Sequence, residues 1–424
     1  MVSKWKMMTL ACVALGLIAA LGASGQSRIN LVVWFPSAGD TSSPAREQFN
    51  KGFESRHPNV KVVEAAQPND NWDQLLKAAN LAGNGPDVVK LWPGSPTTDY
   101  IPFLLPLGKY LDAKFIANRY GWELAREGFK TTGEVYGIPD AAYSYCIWYN
   151  KTLLAKVGVT EKNLPKSWDE LLGVCGKLKA NGITPFVVGT KDGYIVQWGV
   201  ACLLTTMMGT DGPAKVEDLS YKYVGSEVQK ATEMWQELAK RGYLNADAAS
   251  LSTGDDMDMS FVNGGGAMLL SGNWELTALS KGGMTDNLGF FPFPAVDPKG
   301  RFKDYNYAGP GSNYCITKYT KHPDEAAAYI KELATDKDFE LATANERGDL
   351  PVDLSFDASK VTNPYTRKFS EILKAGKNVI ILDLVPLNAF NEFVRMGGSI
   401  TLNKMSAAEV MAIMDKEIEK MKNQ

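Results

Sequence analysis

Two kinds of side chain recur where this chain turns, and together they suggest one kind of chemistry. Trp34 closes an apolar run, Trp92 follows another and precedes Pro93-Gly94, and Trp274 follows Gly272-Asn273. In open α/β sheets ligands bind in the crevice beyond the carboxyl ends of the strands, so Trp92 and Trp274, past their strands, are well placed. Short polar side chains occupy the same kind of turn: Asp40 after Gly39, Asn69-Asp70-Asn71 before Trp72, Asp140 after Pro139, and Asn273. An indole can cover the apolar C–H face of a sugar ring. A fixed carboxylate can accept charge-assisted hydrogen bonds from neighbouring hydroxyls, roughly twice as strong as neutral ones. Taken singly, each tryptophan is more often a core residue and each acid a turn former or helix cap. The combination points to a carbohydrate.

Other chemistries find little support. Only two histidines exist, His57 and His322, each followed by proline. Histidine triads and multi-histidine metal sites are thereby nearly excluded. Gly264-Gly265-Gly266 lacks the Lys-Ser/Thr ending of a phosphate loop and precedes a strand rather than a helix. Asp255-Asp256-Met257-Asp258 is acidic enough for calcium, but Phe261 stands where the sharp-turn glycine belongs when counting starts at Asp256. No metal or cofactor is expected. Lys and Arg total 45 against 48 Asp and Glu, a net charge of −3, which argues against a nucleic acid partner. Paired carboxylates for glycoside hydrolysis stay open, since 48 acids offer many pairs. A secreted glycosidase is therefore the alternative to a binding protein.

The elements that must position these residues begin after a leader. Lys4 and Lys6, the apolar run Met7 to Leu21 and the small residues Gly22-Ala23-Ser24-Gly25 form a signal-peptide pattern over residues 1–25. That run is too short to span a bilayer, which takes about 20 residues. Cys12 sits inside it, so the product is read as soluble and exported to the periplasm rather than lipid-anchored. Cys146, Cys175, Cys202 and Cys315 match no paired-ligand metal spacing and lie in apolar stretches, as buried thiols do; an oxidising compartment would permit disulfides.

Beyond the leader, Ile29 to Phe35, Val60 to Val63 and Asp87 to Leu91 read as strands. Helical patterns Pro44 to Arg56 and Trp72 to Leu81 separate them. This β-α-β-α-β order predicts a parallel α/β layer. Near residue 140 the texture changes to an aromatic strand, Ala142 to Tyr149, and then mainly helices, one capped by Ser167. Strand-helix texture returns from Asn313, and Ala407 to Met421 carries the spacing of a terminal helix laid on a domain surface.

Several segments in this order resemble the family 1 extracellular solute-binding proteins of bacterial ABC sugar importers, over almost the whole mature chain. They are Ile29 to Trp34, Gly85-Pro86-Asp87-Val88, Val135-Tyr136-Gly137-Ile138-Pro139 and Trp148-Tyr149-Asn150-Lys151 with Leu153. Ser167-Trp168-Asp169-Glu170, Gly266-Ala267-Met268 leading to Gly272-Asn273-Trp274, and Leu350-Pro351-Val352 complete the set. The resemblance implies a two-lobed α/β periplasmic-binding-protein fold of type II with the ligand between the lobes. Residues 26–141 with 307–345 would form lobe I, and 142–306 with 346–424 lobe II. It further implies that Trp274 stacks on a mono- or oligosaccharide, with Trp92 facing it and Asp40 near the first loop. Tyr143, Trp198, Asn313 and Arg347 would add contacts, beside Asp70, Trp72 and Asp140 from the turns. The chain would act as a monomer, without catalysis, and hand its ligand to membrane permease subunits. One departure is Asn391, standing where some relatives carry an aromatic after Pro386.

Overall fold

A computed structural model describes residues 28–36, 43–67, 72–127 and 132–423. The leader, Asp40 and Asp70 lie outside the described residues. Strands β1 (Ile29–Phe35), β2 (Val60–Ala66) and β3 (Val88–Leu91) alternate with helices Pro44–Arg56 and Trp72–Ala82. Then come β4 (Gly137–Pro139), the long β5 (Ala141–Asn150), β6 (Phe186–Val187), β7 (Met268–Gly272) and β8 (Leu288–Phe291). Last are β9 (Asn306–Pro310), β10 (Asn313–Ile316), β11 (Leu350–Pro351) and β12 (Asn378–Val379).

These strands build two sheets, one per lobe. The first has the order β2-β1-β3-β10-β4, and β1 pairs in parallel with β2 and β3 as the alternating pattern requires. It is not parallel throughout, however: β10 runs antiparallel between β3 and β4. That strand arrives from the other lobe instead of through a helical crossover, so nothing forces it to run with its neighbours. Alternation along β1 puts Leu31, Val33 and Phe35 in one core, each fully buried, while Trp34 packs with Trp72 and Trp92 on the opposite face.

The second sheet has the order β12-β9-β5-β7-β6, with β8 and β11 also pairing to β5. Cys146, Ile147, Trp148 and Tyr149 of β5 are buried in its large core, and the Trp148 indole donates to the Gly272 carbonyl at 2.9 Å. Helix Trp168–Ala180 starts where expected, its N-terminus capped by the Ser167 hydroxyl accepting from the Glu170 N–H. Terminal helix Ala407–Lys422 opens with a capping box between Ser406 and Glu409 and buries Val410, Met411, Met414 and Ile418. All four cysteines after the leader are buried and unbridged. No helix among the described residues is long and apolar enough to cross a membrane.

The passages between sheets matter most for function. Between β4 of the first sheet and β5 of the second stands Asp140 alone. β9 stays with the second sheet and β10 joins the first, so a further passage runs through Gly311-Ser312. The Asp140 N–H donates to the Ser312 carbonyl at 3.0 Å, tying the two strands of the passage together. Helix Lys337–Arg347 packs on helix Pro44–Arg56, and β11 then returns the chain to β5.

Candidate functional site

Between the two sheets the chain collects aromatic rings from four elements. Tyr143 and Tyr145 lie two residues apart on β5 and so share a face. Trp274 follows β7, and its ring centroid lies 5.2 Å from Tyr143, 4.9 Å from Tyr145 and 5.5 Å from Trp198. Trp198 comes from helix Tyr194–Met208 and sits 5.7 Å from Tyr145. Tyr307 of β9 stacks on Tyr145 at 4.3 Å with 27° between the planes. Edge-to-face, tilted and stacked contacts of this kind hold the rings in fixed orientations.

Local chemistry sets the Trp274 ring. A Cβ added at Gly272 would lie 2.0 Å from the indole, so only glycine lets the ring fold back over this strand end. The indole N–H donates to Glu275 Oε1 at 2.7 Å, and the Ser271 hydroxyl donates to the same oxygen at 2.7 Å. Asn273 is fully buried; its Oδ1 accepts from the Ser144 N–H at 2.8 Å and its Nδ2 donates to the Gly348 carbonyl at 2.7 Å. That asparagine builds the turn and is not free for a ligand.

Across the seam, Trp92 from the first lobe meets Tyr194 from the second at 6.2 Å. The Trp92 carbonyl accepts from the Thr97 hydroxyl at 2.5 Å, and Thr97 Oγ1 accepts from Asn313 Nδ2 at 3.2 Å. Asn313 is wholly buried; its Nδ2 serves the Trp92 turn, and its Oδ1 has no hydrogen-bond partner among the described residues. Trp72 is only 3% exposed; its ring lies beneath Trp92, 6.4 Å away. Asp140 pairs with the buried Lys90 at 3.3 Å, and Arg347 Nε lies 3.4 Å from Asp349. Of the residues picked out by sequence, the structure thus gathers Trp274, Tyr143 and Trp198, sets Trp92 across the seam, and engages Trp72, Asp140, Asn313 and Arg347 internally.

Sequence reading missed Tyr145, Tyr194, Tyr307 and Asp383. The first two carried a signal: Tyr145 repeats Tyr143 at strand spacing, and Tyr194 precedes Trp198 by one helical turn. Asp383 carried none. It lies in a short turn after β12, where the Tyr307 hydroxyl donates to its Oδ2 and Gln197 Nε2 donates to that hydroxyl at 2.7 Å. Gly94 of the first lobe, at φ +80°, comes so close that an added Cβ would lie 2.7 Å from the Asp383 carbonyl. Burial pushes the Asp383 carboxyl up to about 6, against the Tyr307 hydrogen bond, which lowers it.

The raised value has a definite sign. The folded protein holds this proton to higher pH than the unfolded chain, whose aspartates titrate near about 3.9. The associated stability is present below about pH 4 and lost as pH rises through about 6. Asp383→Asn is expected to flatten the Tm profile over that window and to raise Tm at pH 7, checked by thermal unfolding across pH.

Comparison with known proteins agrees with this architecture. The profile of the family described as bacterial extracellular solute-binding protein matches residues 37–338. A multiple sugar-binding protein from Streptococcus mutans is 25% identical over 295 residues, 67% of this chain and 66% of that one. The maltodextrin-binding protein MdxE of Bacillus subtilis is 26% identical over 281 residues, 65% of this chain and 63% of its own. The matches thus span just under two thirds of these relatives' length. A solved chitin oligosaccharide binding protein superposes with a TM-score of 0.81 at 21% identity, covering 93% of this chain and 99% of that one. Two lobes linked by repeated passages, an aromatic seam between them and a family profile matched over most of the chain lead to one conclusion: the chain belongs to the bacterial extracellular solute-binding protein family.

Proposed function

We propose that this protein captures a mono- or oligosaccharide between its lobes and delivers it, chemically unchanged, to the permease subunits of an ABC importer. The observation that carries the reading is the cluster of Trp274, Tyr143, Tyr145 and Trp198 in one lobe, with Trp92 of the other lobe meeting Tyr194, one helical turn before Trp198. A sugar ring has two apolar C–H faces, and closure of the lobes would cover both. Relatives named as sugar-binding support the same ligand class. Because β9 pairs with β5 of the second sheet, the return to lobe I is taken after Pro310 and not at residue 307: residues 26–141 with 311–345 and residues 142–310 with 346–424 are taken as the moving bodies. Export by the leader to the periplasm and action as a monomer complete the proposal. Ligand would favour the closed form only through contacts made there and not in the open form.

The competing glycosidase reading fits less well. A glycosidase needs two carboxyl groups about 5 to 9.5 Å apart across the scissile bond. Beside the cluster, Asp258 and Glu275 are instead in mutual contact and buried behind Trp274.

Thermal unfolding of the mature protein against glucose, maltose, maltotriose, raffinose, xylobiose and diacetylchitobiose tests the proposal. A ligand bound only by the native state at about 100 times its Kd adds about 2.7 kcal/mol of apparent stability. At least one saccharide is expected to raise Tm by several degrees and to be recovered intact. Release of reducing ends would favour the glycosidase, and a flat response to the whole panel would overturn the sugar reading.

A further inference from the structure

Behind Trp274 lies a contact that two ionised groups could not make. Helix Asp255–Val262 packs against β7 and against helix Leu276–Lys281, which brings Asp258 up to Glu275. Both side chains are buried, with their residues 4% and 5% exposed. Glu275 Oε1 already accepts from the Trp274 indole and the Ser271 hydroxyl. Asp258 Oδ1 is buried without any donor to satisfy it, yet the two carboxyl groups lie within hydrogen-bonding reach of each other. Carboxylates only accept, so the contact requires one of them to carry a proton. The other charged group felt by Asp258 is Asp255, of the same sign. No cation among its described neighbours offsets the charge.

We propose that Asp258 is held as the neutral acid, donating to Glu275, and that this buried proton fixes the Trp274 ring in its ligand-facing orientation. Asp258 and Glu275 are then positioning residues, acting through the indole N–H, and the proposal rests on the reading of Trp274 as the stacking residue. Burial, with the Glu275 carboxyl beside it, holds the Asp258 carboxyl well above the usual carboxylate range, which favours the acid form.

Two variants at Glu275 and one at Asp258 test this. Near-ultraviolet circular dichroism of the wild type minus that of Trp274→Ala isolates the Trp274 contribution. Glu275→Leu removes the acceptor and is expected to abolish that difference band; Glu275→Gln restores an acceptor and is expected to keep it. Asp258→Asn supplies an N–H donor that does not titrate. A carboxyl raised in the folded state loses stability with rising pH, so wild-type Tm should fall from pH 5 to pH 9 more steeply than that of Asp258→Asn. Asp383 is common to both proteins and drops out of that comparison.

An unchanged band in Glu275→Leu, or equal Tm slopes in wild type and Asp258→Asn, would overturn the proposal. Should Glu275→Leu not fold, the slope comparison alone decides. The underlying site reading fails separately: it falls if Trp274→Ala still shows the wild-type shift with the saccharide panel.

Discussion

Trp274→Ala is expected to remove most ligand affinity while leaving the protein folded. Its ring is the common neighbour of Tyr143, Tyr145 and Trp198, so truncation empties the middle of the cluster. Central, well-packed aromatic anchors of an interface typically cost 2 kcal/mol or more on truncation, roughly a 30-fold loss in Kd. The stability cost should be smaller, because the ring is only partly buried, as are Tyr143, Tyr145 and Trp198 around it. About 1 to 2 kcal/mol is a fair expectation, below the 3 to 5 kcal/mol of a fully buried aromatic. Phenylalanine at the same position keeps a ring face but loses the bond to Glu275, so it should recover part of the affinity. Calorimetric titration with the saccharide giving the largest thermal shift, beside urea unfolding of each variant, measures both effects. Wild-type affinity in the alanine variant would place the ligand elsewhere.

The parts legible in the sequence are those governed by short-range periodicity. Parallel pairing of β1 with β2 and β3 follows from strand and helix alternation, and the Ser167 cap stands at the start of its helix. What periodicity could not supply is the partner of a strand arriving from far along the chain. β10 pairs antiparallel with β3 across more than two hundred intervening residues, and no local pattern encodes that choice. The site divides in the same way. Trp274 and Trp92 were visible as indoles just past strands, whereas Trp72, picked from the same kind of turn, was buried by the pleat and helix beneath it. Asp140 and Asn313 look like ligand groups in sequence because short polar side chains suit turns for either purpose. Only tertiary contact shows that Asp140 pairs with Lys90 and that the Asn313 Nδ2 donates to Thr97. Asp383 is the converse: an unremarkable acid in sequence, made prominent by the Tyr307 hydroxyl and by Gly94 of the opposite lobe.

The passages between the lobes depend on one cation, and its removal should have the largest effect on stability. Arg119 is 5% exposed, with Glu340 Oε1 at 3.5 Å and Asp353 Oδ2 at 3.7 Å from its guanidinium. Nη1 donates to the Pro139 carbonyl at 3.0 Å, at the end of β4, and Nη2 donates to the Ala334 carbonyl. Asp140, Ala141, Asp349 and Pro351 line the same small cavity as Arg119, so the first passage and the return to β11 converge on it. Leucine there would leave two buried acids short of a cation and two carbonyls short of a donor. Breaking one side of a buried pair typically costs 3 to 5 kcal/mol. Lys337, at 3.0 Å from Glu340 and 2.6 Å from Asp353, continues to offset their charge. The expected loss for Arg119→Leu is therefore at the low end, about 3 kcal/mol, read as a lower urea midpoint at unchanged slope. Arg119→Lys should fall between, since an ammonium keeps the charge but cannot reach both carbonyls and both acids from one planar fork. Because the same guanidinium ties Pro139 to the helix beneath it, ligand affinity should also weaken severalfold in Arg119→Lys, where folding is least disturbed. Stability and affinity both unchanged in that variant would mean the passages hold their geometry without it.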